Sequence, residues 1–160
     1  MELGLFSMPV HPPSRDWRTV LREDREMIIL ADKLGYCEVW LGEHVASKGE
    51  PINHPLMFLA SVIGATEHIK LGTGVINLPH RHPAHVAGEV AMLDQMSGGR
   101  VLLGIGPGGL SCDAELFGDR DGEVRARMMV ESIDIMEYIW THDPPYVFNG
   151  EFWTISVIDA

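Results

Sequence analysis

Apolar positions along this chain change period several times, and each change predicts an element. Leu3 to Ser7 is a short apolar run ended by Pro9, Pro12 and Pro13, which predicts a first strand and a rigid loop. Val20, Leu21, Met27, Ile28, Ala31 and Leu34 then recur near three- and four-residue spacing, with Arg22, Glu23, Arg25 and Glu26 opposite and Gly35 at the C-cap position; this predicts a helix. Cys37 to Leu41 predicts a second strand, running into Gly42, Glu43 and His44. The stretch from Pro55 to Thr66 is apolar over most of its length and opens on proline, which predicts a buried helix. Ile69, Leu71, Val75, Ile76 and Leu78 predict a third strand covered on both faces, with Gly72 and Gly74 open to close approach and Pro79 ending it.

The remainder continues the alternation. Pro83 opens a helix through Met96 with Val86, Val90, Leu93 and Met96 on one side, and Gly98 and Gly99 stop it. Val101 to Ile105 predicts a fourth strand leading into Gly106, Pro107, Gly108 and Gly109. A loop holding Cys112, Glu115 and Phe117 precedes an amphipathic helix from about Gly122 to Trp140, and Asn149-Gly150 predicts a two-residue hairpin turn near the end. Four β-then-α units in succession predict an α/β fold with a parallel sheet and right-handed crossovers. Two closures satisfy that pattern: a doubly wound open sheet, or the amino-terminal half of an eight-fold β/α barrel. A half barrel leaves two edge strands to be covered, so the second closure carries the expectation that residues 1–160 are a single truncated domain.

Composition narrows the function classes. The net charge is −11, and Lys and Arg are scattered, which argues against a nucleic-acid surface. No apolar stretch approaches the ~20 residues that span a bilayer. Cys37 and Cys112 form no CxxC pattern, and no secretory signal opens the chain, so the expected location is cytoplasmic with reduced thiols.

Several groups could carry chemistry. His44 stands at the end of the second strand, where a barrel binds ligands, beside Glu43, whose carboxylate could orient the ring. Gly104 to Gly109 matches GxGxxG, either a dinucleotide fingerprint or a turn against which a flat ligand lies. His80, His82 and His85 form HxHxxH, a metal pattern or a helix entry at Pro83. Arg100 is expected to bind helix-end carbonyls or to pair with Asp94. Trp17, Trp40, Met57 and Phe58 read as core or pocket wall.

Taken together, EVWLGEH at 38–44, IKLGTGVINLPHRHP at 69–83, MLDQMSGGRVLLGIGPGG at 92–109 and ELFG at 115–118 resemble the bacterial luciferase-like flavin monooxygenases. The resemblance covers essentially the whole chain. It implies the first half of a TIM barrel that uses reduced FMN and O₂ to oxygenate a small hydrophobic organic substrate. The flavin would come from a separate NAD(P)H:flavin reductase; a related branch uses a deazaflavin instead. A non-catalytic flavin-binding or dimerisation fragment is the alternative for the chain alone, and a homo-oligomer is expected. Carried over by position, His44 and Glu43 are catalytic, Gly74-Val75 is the site of a non-prolyl cis peptide beneath the flavin, and Asn77, Gly106, Pro107 and Gly108 bind the cofactor. His11, Trp17 and Phe58 would line the substrate pocket, with no metal. Two positions depart from the family: Gly106 and Pro107 replace the cysteine and arginine of light-emitting members, and Gly88 stands where many relatives have glutamate, with Glu89 one residue on.

Overall fold

The structure, a computed structural model, describes residues 1–118 and 121–159. The chain end at Ala160, on which the expectation of truncation turns, lies outside them. In chain order the elements are β1 (Gly4–Ser7), α1 (Trp17–Lys33), β2 (Glu38–Leu41), α2 (Pro55–Ala60), β3 (Lys70–Thr73), β4 (Ile76–Asn77), α3 (Pro83–Ser97), β5 (Val101–Leu102), β6 (Ile105–Gly106), α4 (Ser111–Phe117), α5 (Gly122–Thr141), β7 (Tyr146–Asn149) and β8 (Thr154–Val157), with 3₁₀ turns at Ile63–Ala65 and Leu78–His80. They form two compact units: residues 1–76 with 92–105, and residues 77–91 with 106–160.

The first unit holds a four-stranded sheet in the order β1-β2-β3-β5, parallel throughout. Its register sets Phe6, Trp40, Gly72 and Leu102 side by side, and Leu5, Val39, Leu71 and Val101 one residue earlier on the opposite face. Val39, Leu41, Leu71 and Thr73 are fully buried, as a face covered by crossover helices requires. The α/β class with parallel β/α units is therefore the fold observed.

Local chemistry explains where the elements differ from expectation. Asp16 caps α1 by accepting from the Thr19 N–H at 2.9 Å, and Gly35, at φ +81°, turns the chain after Leu34. The second helix is shorter than its apolar run, because Ser61 turns its hydroxyl back onto the Phe58 carbonyl at 2.6 Å and a 3₁₀ turn follows. In α3 the buried series runs Val86, Val90, Leu93 and Ser97, leaving Met96 58% exposed, which corrects the expected face by one residue. The third and fourth strands are each split, into β3 and β4 and into β5 and β6.

In the second unit, α4 replaces the expected loop at Cys112 to Phe117. Asp113 in its first turn and Gly118 at φ +91° behind it are the sequence signals for it. The expected hairpin forms, but its connection runs over four residues instead of Asn149-Gly150 alone. Glu131 of α5 accepts the N–H groups of Glu151 at 2.7 Å, Phe152 at 3.0 Å and Trp153 at 2.8 Å, and a distant carboxylate thus sets the turn.

Candidate functional site

At the carboxyl end of the first unit's sheet the strands stop behaving as a ladder. The Gly74 N–H still donates to the Leu41 carbonyl at 2.6 Å, but the next peptide bond, Gly74–Val75, is cis. Thr73 takes over the join: its hydroxyl donates to the Gly104 carbonyl at 2.8 Å and accepts the Gly104 N–H at 3.0 Å, while the Ile76 N–H reaches the same carbonyl at 2.9 Å. Glycine is required here for packing. A Cβ on Gly104 would strike the Thr73 carbonyl, one on Gly72 would strike the Trp40 ring, and one on Gly74 would lie 3.0 Å from Phe6 Cε2. Between buried Thr73 and buried Ile76, only Gly74 and Val75 are accessible. They form a small surface without polar side chains at the ligand end of a central strand.

His44 lies three residues beyond the end of β2. Gly42 lies beside Gly74, since a Cβ on Gly42 would stand 3.5 Å from the Gly74 carbonyl oxygen, and His44 follows two residues on. Its Nδ1 is 2.7 Å from Glu50 Oε1, with the ring 24% and the carboxylate 9% exposed. The contact is one of charge and proximity, without hydrogen-bond geometry. The sequence reading missed Glu50, six residues along a polar loop with no periodicity to mark it. Glu43 is buried, at 4% exposure.

The three residues expected to line a substrate pocket, all in the first unit, do not line one cavity. His11 Nε2 meets both oxygens of buried Asp24, at 2.9 and 3.1 Å. Trp17 is the first residue of α1 and is half exposed. Phe58 lines a cavity of about 290 Å³ with Leu21, Ile52, His54 and Met57; His11 and Trp17 are not among its lining residues.

In the second unit, Asn77 and Gly106 are buried, and Pro107 is exposed. Gly108, at φ +75°, lies against His80, where a Cβ would approach Cε1 to 3.0 Å. His80 stacks on Phe117 with ring centres 4.3 Å apart, and His82 meets Trp153 edge-on. Among the described residues no group of three His, Cys, Asp or Glu side chains is arranged to hold a metal ion. Glu89, the displaced glutamate, pairs with Arg81 at 2.8 Å.

Comparison with known proteins decides the family. The luciferase-like monooxygenase model matches residues 1–160. The chain belongs to that family. It is 38% identical over 136 residues to limonene 1,2-monooxygenase of Rhodococcus erythropolis, a match covering 85% of this chain and 35% of that protein. It is 35% identical over 129 residues to the oxygenase component of the flavin-dependent trigonelline monooxygenase of Acinetobacter baylyi, covering 80% and 35%. In structure it resembles the oxygenating constituent of 3,6-diketocamphane monooxygenase from Pseudomonas putida, solved in complex with FMN, with a TM-score of 0.92 and 30% identity over 99% of this chain and 44% of that one. The chain thus spans less than half the length of the relatives it matches. Among its described residues no helix is long and apolar enough to cross a membrane.

Proposed function

We propose that this chain provides part of the flavin site of an FMN-dependent monooxygenase acting on a small hydrophobic organic molecule. The observation that carries the reading is the accessible Gly74–Val75 pair just beyond the carboxyl end of β3, a surface without polar side chains where an apolar ring can rest, in a chain whose structural relative was solved in complex with FMN. The residues present fit such a group, since no polar side chain of Gly74 or Val75 would be stripped of water beneath the ring. Reduced FMN, when bound, supplies the electrons that activate O₂ for insertion of one oxygen atom into the substrate.

This chain's residues would do the rest. Gly74 and Val75 support one face of the ring. Asn77, Gly106, Pro107 and Gly108, in the second unit, are cofactor positions by family resemblance alone. His44 exchanges a proton near the reacting centre, and buried Glu43 stands next to it in the chain. The cavity beside Phe58 is a candidate substrate wall, and His11 and Trp17 lie outside its lining. A relative described as an oxygenase component favours a separate flavin reductase as partner. Exposed Met57, Met92 and Met96 would be covered in a homo-oligomer.

The test is a fluorescence titration of the chain with FMN, oxidised and then reduced without oxygen, with a deazaflavin as comparison. Saturable binding with preference for FMN is expected. A folded chain that binds neither, or prefers the deazaflavin, contradicts the proposal.

A further inference from the structure

We infer that Glu50 is a positioning residue that fixes which nitrogen of His44 carries the proton. The inference rests on the reading of His44 as the proton-exchanging group and adds a residue to it. A neutral imidazole has one N–H and one lone pair, and the hydrogen-bonding environment of one nitrogen decides the role of the other. With Glu50 Oε1 2.7 Å from Nδ1, the charge of an ionised carboxylate favours a proton on that nitrogen over a lone pair facing it. Nε2 is left with the lone pair and becomes the proton acceptor.

Glu50 is held in place by more than this contact. Its side chain is 9% exposed, and Pro51 and Ile52 behind it are buried. The Gly49 carbonyl accepts the His11 N–H at 2.7 Å, and the Glu50 N–H reaches the Ser47 carbonyl at 3.4 Å. His11 is in turn tied to α1 through Asp24. His11 therefore acts as a brace between the loop after β1 and the loop that carries Glu50. The contact lacks hydrogen-bond geometry, so the tautomer follows from the carboxylate's charge and proximity alone.

The experiment needs no flavin, so its outcome is independent of whether FMN binds. The ¹⁵N-labelled chain is placed about two pH units above the ordinary histidine value of ~6.5, and the His44 imidazole nitrogens are observed by long-range ¹H–¹⁵N correlation. Loss of the signal in His44→Gln assigns it. The expected spectrum shows Nδ1 at the N–H shift and Nε2 at the lone-pair shift. In Glu50→Met, of similar volume but without an acceptor, the two shifts should exchange. A predominant Nε2–H form in the unmodified chain overturns the inference, and so does an Nδ1–H form that persists in Glu50→Met. Should Glu50→Met not fold, the spectrum of the unmodified chain decides alone.

Discussion

The two ends of the first unit's sheet are held together by different chemistry. At the amino end, charged side chains gather stray backbone groups. Arg100 donates to the carbonyls of Ser97 at 2.8 Å, Ile63 at 3.2 Å and Ile69 at 3.4 Å and to the Thr66 hydroxyl at 2.9 Å. Asp32 accepts the N–H groups of Glu67, His68 and Ile69 at 2.9, 2.9 and 2.7 Å. At the carboxyl end the joins are made by Thr73 and by glycines whose missing side chains let backbones touch. In barrels of this type the carboxyl face carries ligands and the other face carries stability. Long charged side chains suit the second task, and short ones leave room for the first.

That contrast can be broken by substitution. The largest effect is expected for Arg100→Ala, which strands several part-buried carbonyls at once and should cost about 3 kcal/mol in denaturant unfolding; a cost below about 1 kcal/mol would remove the amino-end clasp from the account. Gly104→Ala attacks the other end by steric means, since its Cβ lands on the Thr73 carbonyl. Overpacking there should cost about 2 kcal/mol, and a neutral result would show that the split between β5 and β6 is pliable.

Asp32 sharpens the comparison through pH. Burial acts to raise its carboxyl, but the N–H donors of Glu67, Ile69 and His68 outweigh burial and hold it below the ordinary 3.8. A folded value below the unfolded one means stability that is present above the unfolded pKa and is lost as pH falls through the folded one. Acid unfolding followed by circular dichroism should therefore show a slope below about pH 4 that Asp32→Asn diminishes. The smallest effect is expected for His44→Gln, at the carboxyl end, where stability should change by under ~0.5 kcal/mol because glutamine still offers Glu50 a donor. A loss comparable to that of Arg100→Ala would assign His44 to the framework.

Much of the fold was legible because apolar period, proline and glycine acted together. Pro55 and Pro83 open α2 and α3, Gly35 and Gly98 close α1 and α3, and the four-strand order follows from β/α alternation. What stayed hidden depended on partners distant in sequence. The loop at Gly150–Trp153 is shaped by Glu131, some twenty residues earlier, and no local pattern announces it. Likewise His44 was visible through its place at a strand end, whereas Glu50 became visible only when the loop folded back to bring it within 2.7 Å. His11 was expected as a pocket wall through the family likeness of its loop, and the contact of its ring with Asp24, on the buried side of α1, had no local signal in the sequence. The cis bond at Gly74–Val75 was legible through family likeness alone, since glycine before valine carries no local signal for it.

The central claim is that the carboxyl end of the parallel sheet is where flavin rests. The most direct measurement is a ¹H–¹⁵N shift map of the labelled chain during titration with FMN. The account predicts saturable shifts concentrated at Gly42 to His44 and at Gly74 to Ile76, with Asp32, Glu67 to Ile69 and Arg100 unmoved. Shifts centred on that second group, or a folded chain in which no residue responds, would contradict it.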